Sequence, residues 1–178
     1  MSEQTNDRDD FGDALAYKAN VPLTWSESGD ASLTSFSIEN EQCLQLILNL
    51  SEHHSSEHSE ELTAISALER KVDLTLQMVS ELLRATIEIP SSKAVRLGAH
   101  EISWNELSAL PALNTQLDIS IYLHDLYPKP LRLRGHVKSV VGQECIVELE
   151  PQADEFQQLL EKFIFLHHRR AIANSKKT

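Results

Sequence analysis

The sequence predicts an α+β fold in which a small antiparallel β-barrel or β-sandwich carries one long helix. Apolar and polar residues alternate in several short segments, mostly in the second half of the chain. A long run without glycine or proline occupies the middle of the chain, and an amphipathic helix is predicted near its end. The 178 residues, of which 41% are hydrophobic, suffice for one domain with an extension and a buried core.

The strand predictions depend on alternation with a period of two. It is clearest where Leu117, Ile119 and Ile121 are separated by polar residues. Pro22 lacks an N–H, which predicts that the first strand lies at a sheet edge or begins near this residue. Gly142 is placed for a hairpin turn between the last two strands. The predicted strands cover residues 17–26, 92–104, 115–123, 130–141 and 144–150.

Helical periodicity predicts three helices, over residues 40–52, 60–87 and 154–173. Ser59 followed by Glu60 and Glu61 is a suitable start for the second helix, because it places a cap and negative charge at the positive end. That helix would be roughly 40 Å long, which exceeds the surface that one small domain offers.

The long helix carries a heptad pattern with β-branched residues at three a positions, although Thr75 weakens it at one d position. One interpretation is packing against the chain's own barrel and first helix alone. We favour a homo-oligomeric coiled coil, because the helix is long and apolar on more than one side. Such a broad stripe favours three or four helices over two. The residues predicted to mediate oligomerisation are Ile65, Leu68, Val72, Leu76, Val79 and Leu82.

Charge and composition exclude several classes of function. The net charge of −11 argues against general nucleic-acid binding, because it repels phosphate backbones. Two distant cysteines fit a reducing cytoplasm rather than a disulfide framework. No apolar run approaches the ~20 residues that span a bilayer, so we expect no membrane insertion. The polar start is not typical of a signal peptide, and residues 1–15 are predicted to be a disordered acidic arm.

No enzyme class is indicated by the motifs. The sequence has no GxSxG, no HExxH and no Gly-rich phosphate loop, so we predict no catalytic residues and no cofactor. His54 and His58 have helical spacing, but their segment is rich in serine and is interpreted as a hydrophilic connector. We therefore predict no metal site.

Basic residues alternate along one predicted strand, at Arg132, Arg134, His136 and Lys138. We interpret this stripe as a solvated outer face of the sheet. The alternative is a contact surface for a phosphate or an acidic partner.

Three stretches matter by their order along the chain: AYKANVPLTW over residues 16–25, KAVRLGAHEISW over 93–104 and EKFIFLHHRR over 161–170. Together they resemble the atypical PilZ family of cyclic di-GMP signalling. The resemblance implies a bacterial protein with a six-stranded antiparallel barrel and flanking helices. It also favours a homotetramer. The implied domain covers residues 16–178, with an oligomerisation insert at 40–88 and the barrel plus terminal helix at 90–173.

The sequence departs from the nucleotide-binding motifs of ordinary PilZ domains, RxxxR and (D/N)xSxxG. Arg96, Gly98 and Glu101 stand at the Asp/Asn, Ser and Gly positions of the second motif. The resemblance therefore implies a non-catalytic scaffold or adaptor that has lost ordinary nucleotide binding and serves a protein partner in motility or surface attachment. The alternative is a cyclic di-GMP receptor that binds through Arg96, Arg132 and Arg134.

Overall fold

The computed structural model describes residues 11, 15–29, 36–53, 63–107, 109–125 and 127–175, without the side chains of 51–53, 63–67, 69, 174 and 175. In chain order the elements are β1 (Tyr17–Glu27), α1 (Ser37–His53), α2 (Thr63–Thr86), β2 (Ser92–Leu97), β3 (Glu101–Asn105), β4 (Gln116–Ile121), β5 (Leu131–Val141), β6 (Glu144–Leu149) and α3 (Asp154–Ser175). The strands close into an antiparallel barrel in the order β1-β2-β3-β6-β5-β4. This confirms the predicted α+β class and the six-stranded barrel.

Strand β1 pairs on both sides, so the prediction that Pro22 marks a sheet edge is wrong. Residues 17–22 pair with β2, and residues 23–27 pair with β4. Pro22 is the last residue paired with β2, and Leu23 is the first paired with β4. A residue without an N–H is tolerated there because the strand changes partner at that point.

The single strand predicted over residues 92–104 is also wrong, because this segment forms the hairpin of β2 and β3. Leu97 pairs with Ile102, and the N–H of Gly98 donates to the carbonyl of Glu101 at 2.8 Å. Apolar residues continue on both sides of the turn, so periodicity alone did not reveal it. The split supplies the sixth strand of the barrel.

Helices α1 and α3 pack against each other, and they also contact β5 and β1, respectively. Asn40 links α1 to β5, since its side chain donates to the Arg132 carbonyl at 2.7 Å and accepts from the Arg132 N–H at 3.0 Å. Trp104 lies in the barrel core rather than on a ligand-binding surface. The largest fully buried side chains include Trp104, Phe156, Phe163, Leu23, Leu44 and Ile47. The inner surfaces of α1 and α3 are thus used within the chain.

The thiols of Cys43 and Cys145 are buried, and neither residue forms a disulfide. Burial raises the pKa of Cys43 to about 11 and that of Cys145 to about 12. Since the thiolate is the reactive form, these residues fit a structural role in the core.

Gly135 generates the first prediction, because a Cβ at this position would lie 2.3 Å from the backbone oxygen of Glu148 on β6. Gly135→Ala should therefore lower the free energy of unfolding by about 1–3 kcal/mol, the usual range for overpacking. Urea denaturation measures the difference. Gly29→Ala is the control, because nothing lies within 4 Å of the added Cβ. Equal stability of the two variants would contradict the close approach of β5 and β6.

His167 on α3 generates the second prediction. Its ring lies 4.9 Å from that of Tyr17 and 4.4 Å from that of Phe163. Burial lowers its pKa from the ordinary 6.5, and the positive charge of Arg170 and the neighbouring His124 act in the same direction. The unfolded chain therefore binds the proton more readily, and stability is lost as the pH falls below 6.5.

His167→Phe should reduce the loss of stability that urea denaturation detects between about pH 7 and about pH 5. The control is His136→Phe, which removes an exposed imidazole on β5 and should retain most of the wild-type difference. An unchanged pH dependence in His167→Phe would show that the buried imidazole contributes nothing to it.

Candidate functional site

Helix α2 exposes a long apolar surface. Its 24 residues span about 36 Å. Among the elements that the structure describes, none makes an extended contact with α2. Several of its large apolar side chains are exposed, by between 43% at Leu83 and 67% at Leu82. The exposed residues of this kind are Leu68, Val72, Leu74, Met78, Val79, Leu82 and Leu83.

The apolar surface covers more than one side of α2. Leu68 and Val79 lie on the predicted heptad seam, whereas Leu74 and Met78 lie on other faces of the helix. A helix apolar over such a wide arc can contact two neighbours at once.

The residues predicted to mediate oligomerisation fall into three groups. Leu68, Val72, Val79 and Leu82 are exposed on α2. Leu76 is half-buried. The backbone of Ile65 belongs to α2, but its side chain lies outside the described part of the structure.

Thr75 is the polar residue of the predicted seam. Its hydroxyl donates to the carbonyl of Lys71 at 2.8 Å. Because this hydrogen bond lies within α2, the hydroxyl needs no partner from a neighbouring helix, and the threonine methyl group can join the apolar stripe.

The carboxyl end of α2 is tied to the barrel through Arg84. Its Nε and Nη2 atoms donate to the backbone oxygen of Asp125 at 3.1 and 2.7 Å, and Nη2 also donates to Oδ1 of Asp125 at 2.9 Å. Asp125 belongs to the connection between β4 and β5. These bonds fix where the helix leaves the barrel.

A shallow groove of 510 Å³ lies on the outer surface of β1, β2, β3 and β6. Lys18 on β1 stands directly opposite Arg96 on β2, so two cations face each other across the strand pair. Asn20 and Asn105 add amide groups to the lining. The groove can offer positive charge and hydrogen bonds to an anionic ligand.

Phe11 and Glu144 both lie near the Arg96 side chain. Its guanidinium carbon lies 4.3 Å from the centre of the Phe11 ring. One guanidinium nitrogen, Nη1, lies 4.0 Å from Oε1 of Glu144, and that oxygen also accepts a 2.7 Å hydrogen bond from Ser103. The positive charge of Arg96 is thus partly offset by an acid on β6.

The three arginines of the alternative nucleotide site do not converge. Arg96 is on β2, whereas Arg132 and Arg134 are on β5, and two strands separate β2 from β5 in either direction around the barrel. Arg134 is buried and binds Asp118 through two hydrogen bonds of 2.6 and 3.1 Å. Arg132 lies 4.8 Å from the centre of the Phe36 ring.

Acidic residues offset the basic stripe that the sequence placed on β5. Lys138, at a β-bulge, forms an ion pair with Glu101 on β3. Asp118 pairs with Arg134 on the same outer surface. The stripe is therefore not a continuous positive surface.

Glu106 and Trp25 form a second polar cluster near the carboxyl end of β3. The indole N–H of Trp25 donates to Oε2 of Glu106 at 2.9 Å, and Lys93 forms an ion pair with the same carboxylate. These contacts join β1, β2 and the segment after β3, which supports a structural role for Trp25.

The residues that the structure describes contain no group of acidic, histidine or cysteine side chains arranged for a metal ion. His54 and His58, which the sequence singled out, lie outside the described residues. Among the described helices, none has the length and apolar character needed to cross a bilayer.

Sequence reasoning missed Phe11, Lys18 and the contact of Arg84 with Asp125. Phe11 lies within the polar acidic arm that was predicted to be disordered, yet its side chain is buried. Of that predicted arm, residues 1–15, the structure describes Phe11 and Leu15. A single aromatic residue within a polar segment was the available signal.

Comparison with known proteins identifies the family. A solved structure from Xanthomonas campestris matches over 92% of this chain and 93% of its own, with a TM-score of 0.75 and 23% sequence identity. That protein is described as pathogenic, with a new tetrameric PilZ domain self-assembled via an unusual helical bundle. No curated protein matches the chain. The family described as "atypical PilZ domain, cyclic di-GMP receptor" matches residues 42–177, and the chain belongs to this family.

Proposed function

We propose that this protein is a non-catalytic, self-assembling scaffold or adaptor in cyclic di-GMP signalling, and that its α2 helices form the core of a homotetramer. The exposed apolar surface of α2 is the observation that carries the proposal. The family is one of receptors rather than enzymes, which fits a role exerted through binding.

The energetics favour association through α2. Fully burying a large aliphatic side chain contributes about 1.5–3 kcal/mol, so covering the exposed half of each contributes roughly 1 kcal/mol. Seven such side chains along α2 bring the gain per copy into the range of the association cost, about 4–15 kcal/mol. Each copy meets more than one neighbour in a bundle, which increases the buried area further.

Two observations support a tetramer over a dimer. Leu74 and Met78 extend the apolar surface beyond the a and d positions, and a two-stranded coiled coil would leave them in water. The structurally similar protein from Xanthomonas campestris is described as a tetramer assembled via a helical bundle. We infer the same use of α2 here.

The residues at the motif positions support the loss of ordinary nucleotide binding. Arg96 stands where an Asp or Asn is expected, and Gly98 has no side chain with which to donate a hydrogen bond. Glu101, at the Gly position, is buried and paired with Lys138. The motif positions therefore carry a basic residue, a residue without a side chain and an acid engaged in an internal ion pair, so the polar contacts of the usual motif are lost.

The proposed scaffold would act in the cytoplasm. Assembly through α2 would leave the outer surfaces of the barrels available to a protein partner, and we place that partner in motility or surface attachment, as the family resemblance implies. The network is that of cyclic di-GMP, the ligand of the family.

A second candidate function is that of a true cyclic di-GMP receptor, which the family description favours. Within one copy, the ligand would have to use either Arg96 with Lys18 or the exposed Arg132, since these lie on opposite strands of the barrel. Arg134 is already engaged by Asp118.

Assembly is tested by Val79→Asp, alone and combined with Leu68→Asp. A charge on the seam is costly to bury, so the assembly mass should fall from that of a tetramer towards that of a monomer, with the double variant more affected. Sedimentation equilibrium measures the mass.

Gln77→Asp is the matched control, because it places the same charge on the polar side of α2. It should keep the wild-type mass. A monomeric wild-type protein, or equal dissociation of Gln77→Asp and Val79→Asp, would contradict assembly through the apolar face.

Nucleotide binding is tested by calorimetric titration of the wild-type protein with cyclic di-GMP. Since the motif side chains are replaced, we expect no binding at micromolar concentrations. Arg96→Ala and Arg132→Ala separate the two possible surfaces. Micromolar binding that either substitution abolishes would establish the receptor function instead.

A further inference from the structure

We propose that the outer face of α3, near its carboxyl end, binds an anionic lipid surface. This face is a stripe of alternating cationic and apolar side chains, here called the α3 stripe, and it consists of Lys162, Phe165, Arg169 and Ile172. The proposal gives the protein a peripheral contact with a membrane that no helix crosses. It involves a different helix from the assembly proposed for α2.

Charge is distributed very unevenly along the chain. All 27 acidic residues precede Lys162, and residues 162–178 contain no Asp or Glu. The same segment carries several of the 16 basic residues, namely Lys162, Arg169, Arg170, Lys176 and Lys177. A chain with a net charge of −11 therefore ends in a segment whose charged side chains are all cationic.

The four residues of the α3 stripe share one side of the helix, because they are spaced by three and four residues. All four side chains are exposed, Phe165 by 50% and Ile172 by 42%. The side of α3 that packs on the domain includes the buried residues Phe156, Leu160, Phe163 and Ile164. The stripe is therefore a second surface of α3, distinct from the one that stabilises the fold.

Apolar and cationic groups adjoin within the stripe. The guanidinium carbon of Arg169 lies 5.8 Å from the centre of the Phe165 ring, within the ~6 Å range of cation–π attraction. At a lipid surface, aromatic and aliphatic side chains enter the boundary between headgroups and acyl chains, while the charged ends of Lys and Arg stay at the level of the phosphates. Phe165 and Ile172 can take the first role, and Lys162 and Arg169 the second.

The kinds of cation favour a lipid surface over an acidic protein, the other partner that this charge would attract. Lys162, Lys176 and Lys177 belong to the cationic segment. Lysine is depleted in protein–protein interfaces, whereas lysine and arginine beside exposed phenylalanine are typical of helices that bind anionic membranes. An anionic bilayer also presents negative charge alone, which matches a segment without carboxylates.

The acidic start of α3 does not cancel this attraction. Glu155 precedes Arg169 by about 21 Å along the helix, more than twice the ~8 Å over which charge is screened at physiological salt. Glu161 is closer to the stripe, but its Oε1 accepts a hydrogen bond from Nε2 of Gln157, one turn towards the amino end. Along α3, repulsion from the acidic first turn is therefore screened before it reaches the stripe.

The first test is co-sedimentation of the full-length protein with vesicles of three parts phosphatidylcholine to one part phosphatidylglycerol. At low ionic strength the wild-type protein should sediment with these vesicles and stay in solution with vesicles of pure phosphatidylcholine. Added salt should reduce the bound fraction, because it screens the cations of the stripe. A wild-type protein that ignores the anionic vesicles would overturn the proposal and leave an acidic protein as the partner of the stripe.

Substitutions in the stripe locate the contact. Arg169→Glu should weaken vesicle binding at least about fivefold, the factor that one cation near an anionic surface contributes, whereas Arg169→Lys should retain it. Phe165→Ser should weaken binding about fivefold through loss of the half-exposed ring.

Lys129→Glu is the matched control, because it makes the same change in net charge at an exposed residue between β4 and β5. It should bind like the wild-type protein. Equal weakening in Lys129→Glu and Arg169→Glu would show that net charge alone governs binding, and unchanged binding in Arg169→Glu or Phe165→Ser would show that the stripe is not the contact. Either result would overturn the proposal.

Sedimentation equilibrium without lipid separates this proposal from the preceding one. Arg169→Glu should keep the wild-type mass, and a lower mass would overturn the proposal by showing that the stripe is buried between copies of the chain. A monomeric wild-type protein would contradict the α2 bundle and leave the vesicle comparison valid.

Discussion

The arrangement of this protein depends on one constraint: α2 carries more apolar surface than its own domain covers. The barrel interior is filled by its own strands, and α1 and α3 already pack on each other and on the barrel. Among the described residues, no face of the barrel therefore packs along the length of α2. Arg84 and Asp125 fasten the carboxyl end of the helix, while Leu68, near the opposite end, is 62% exposed. Association with other copies is the simplest way to cover such a helix.

On the barrel surface, ion pairs within the chain engage basic residues that could otherwise bind an anionic ligand. Of the basic residues on β5, Arg134 is bound to Asp118 and Lys138 to Glu101. A cation held by a neighbouring carboxylate offers less to an incoming phosphate, because the ligand must compete with an acceptor already in place. In the outer groove Lys18 and Arg96 face each other, and Arg96 too lies near a carboxylate, that of Glu144, and next to the Phe11 ring.

Much of the fold could be predicted because buried apolar residues recur along the sequence at the spacing of a strand or of a helix. Leu117, Ile119 and Ile121 alternate because they all point into the barrel, and the seam residues of α2 recur with the helical repeat. Features that depend on contacts between distant strands left no such period. The pairing of Asp118 with Arg134 requires the register of β4 and β5, and the position of Phe11 requires tertiary packing. The turn after β2 was missed because apolar residues continue on both sides of it.

The same distinction applies to the candidate sites. The proposed assembly surface is local to one helix, so its residues could be named from the sequence. The nucleotide alternative joined Arg96 to Arg132 and Arg134, which are distant in the chain, and only the strand order shows that β2 and β5 lie on opposite sides of the barrel. Sites built from several elements need that order before their members can be chosen.

Native mass spectrometry of the unmodified wild-type protein tests the central claim most directly. If four copies shelter the apolar surface of α2 from water, the dominant species should have a mass of about 80 kDa, four times the 20.1 kDa of one chain. A dominant species of 20.1 kDa at micromolar concentration would show that a single chain tolerates this surface in water, and the scaffold account would then fail.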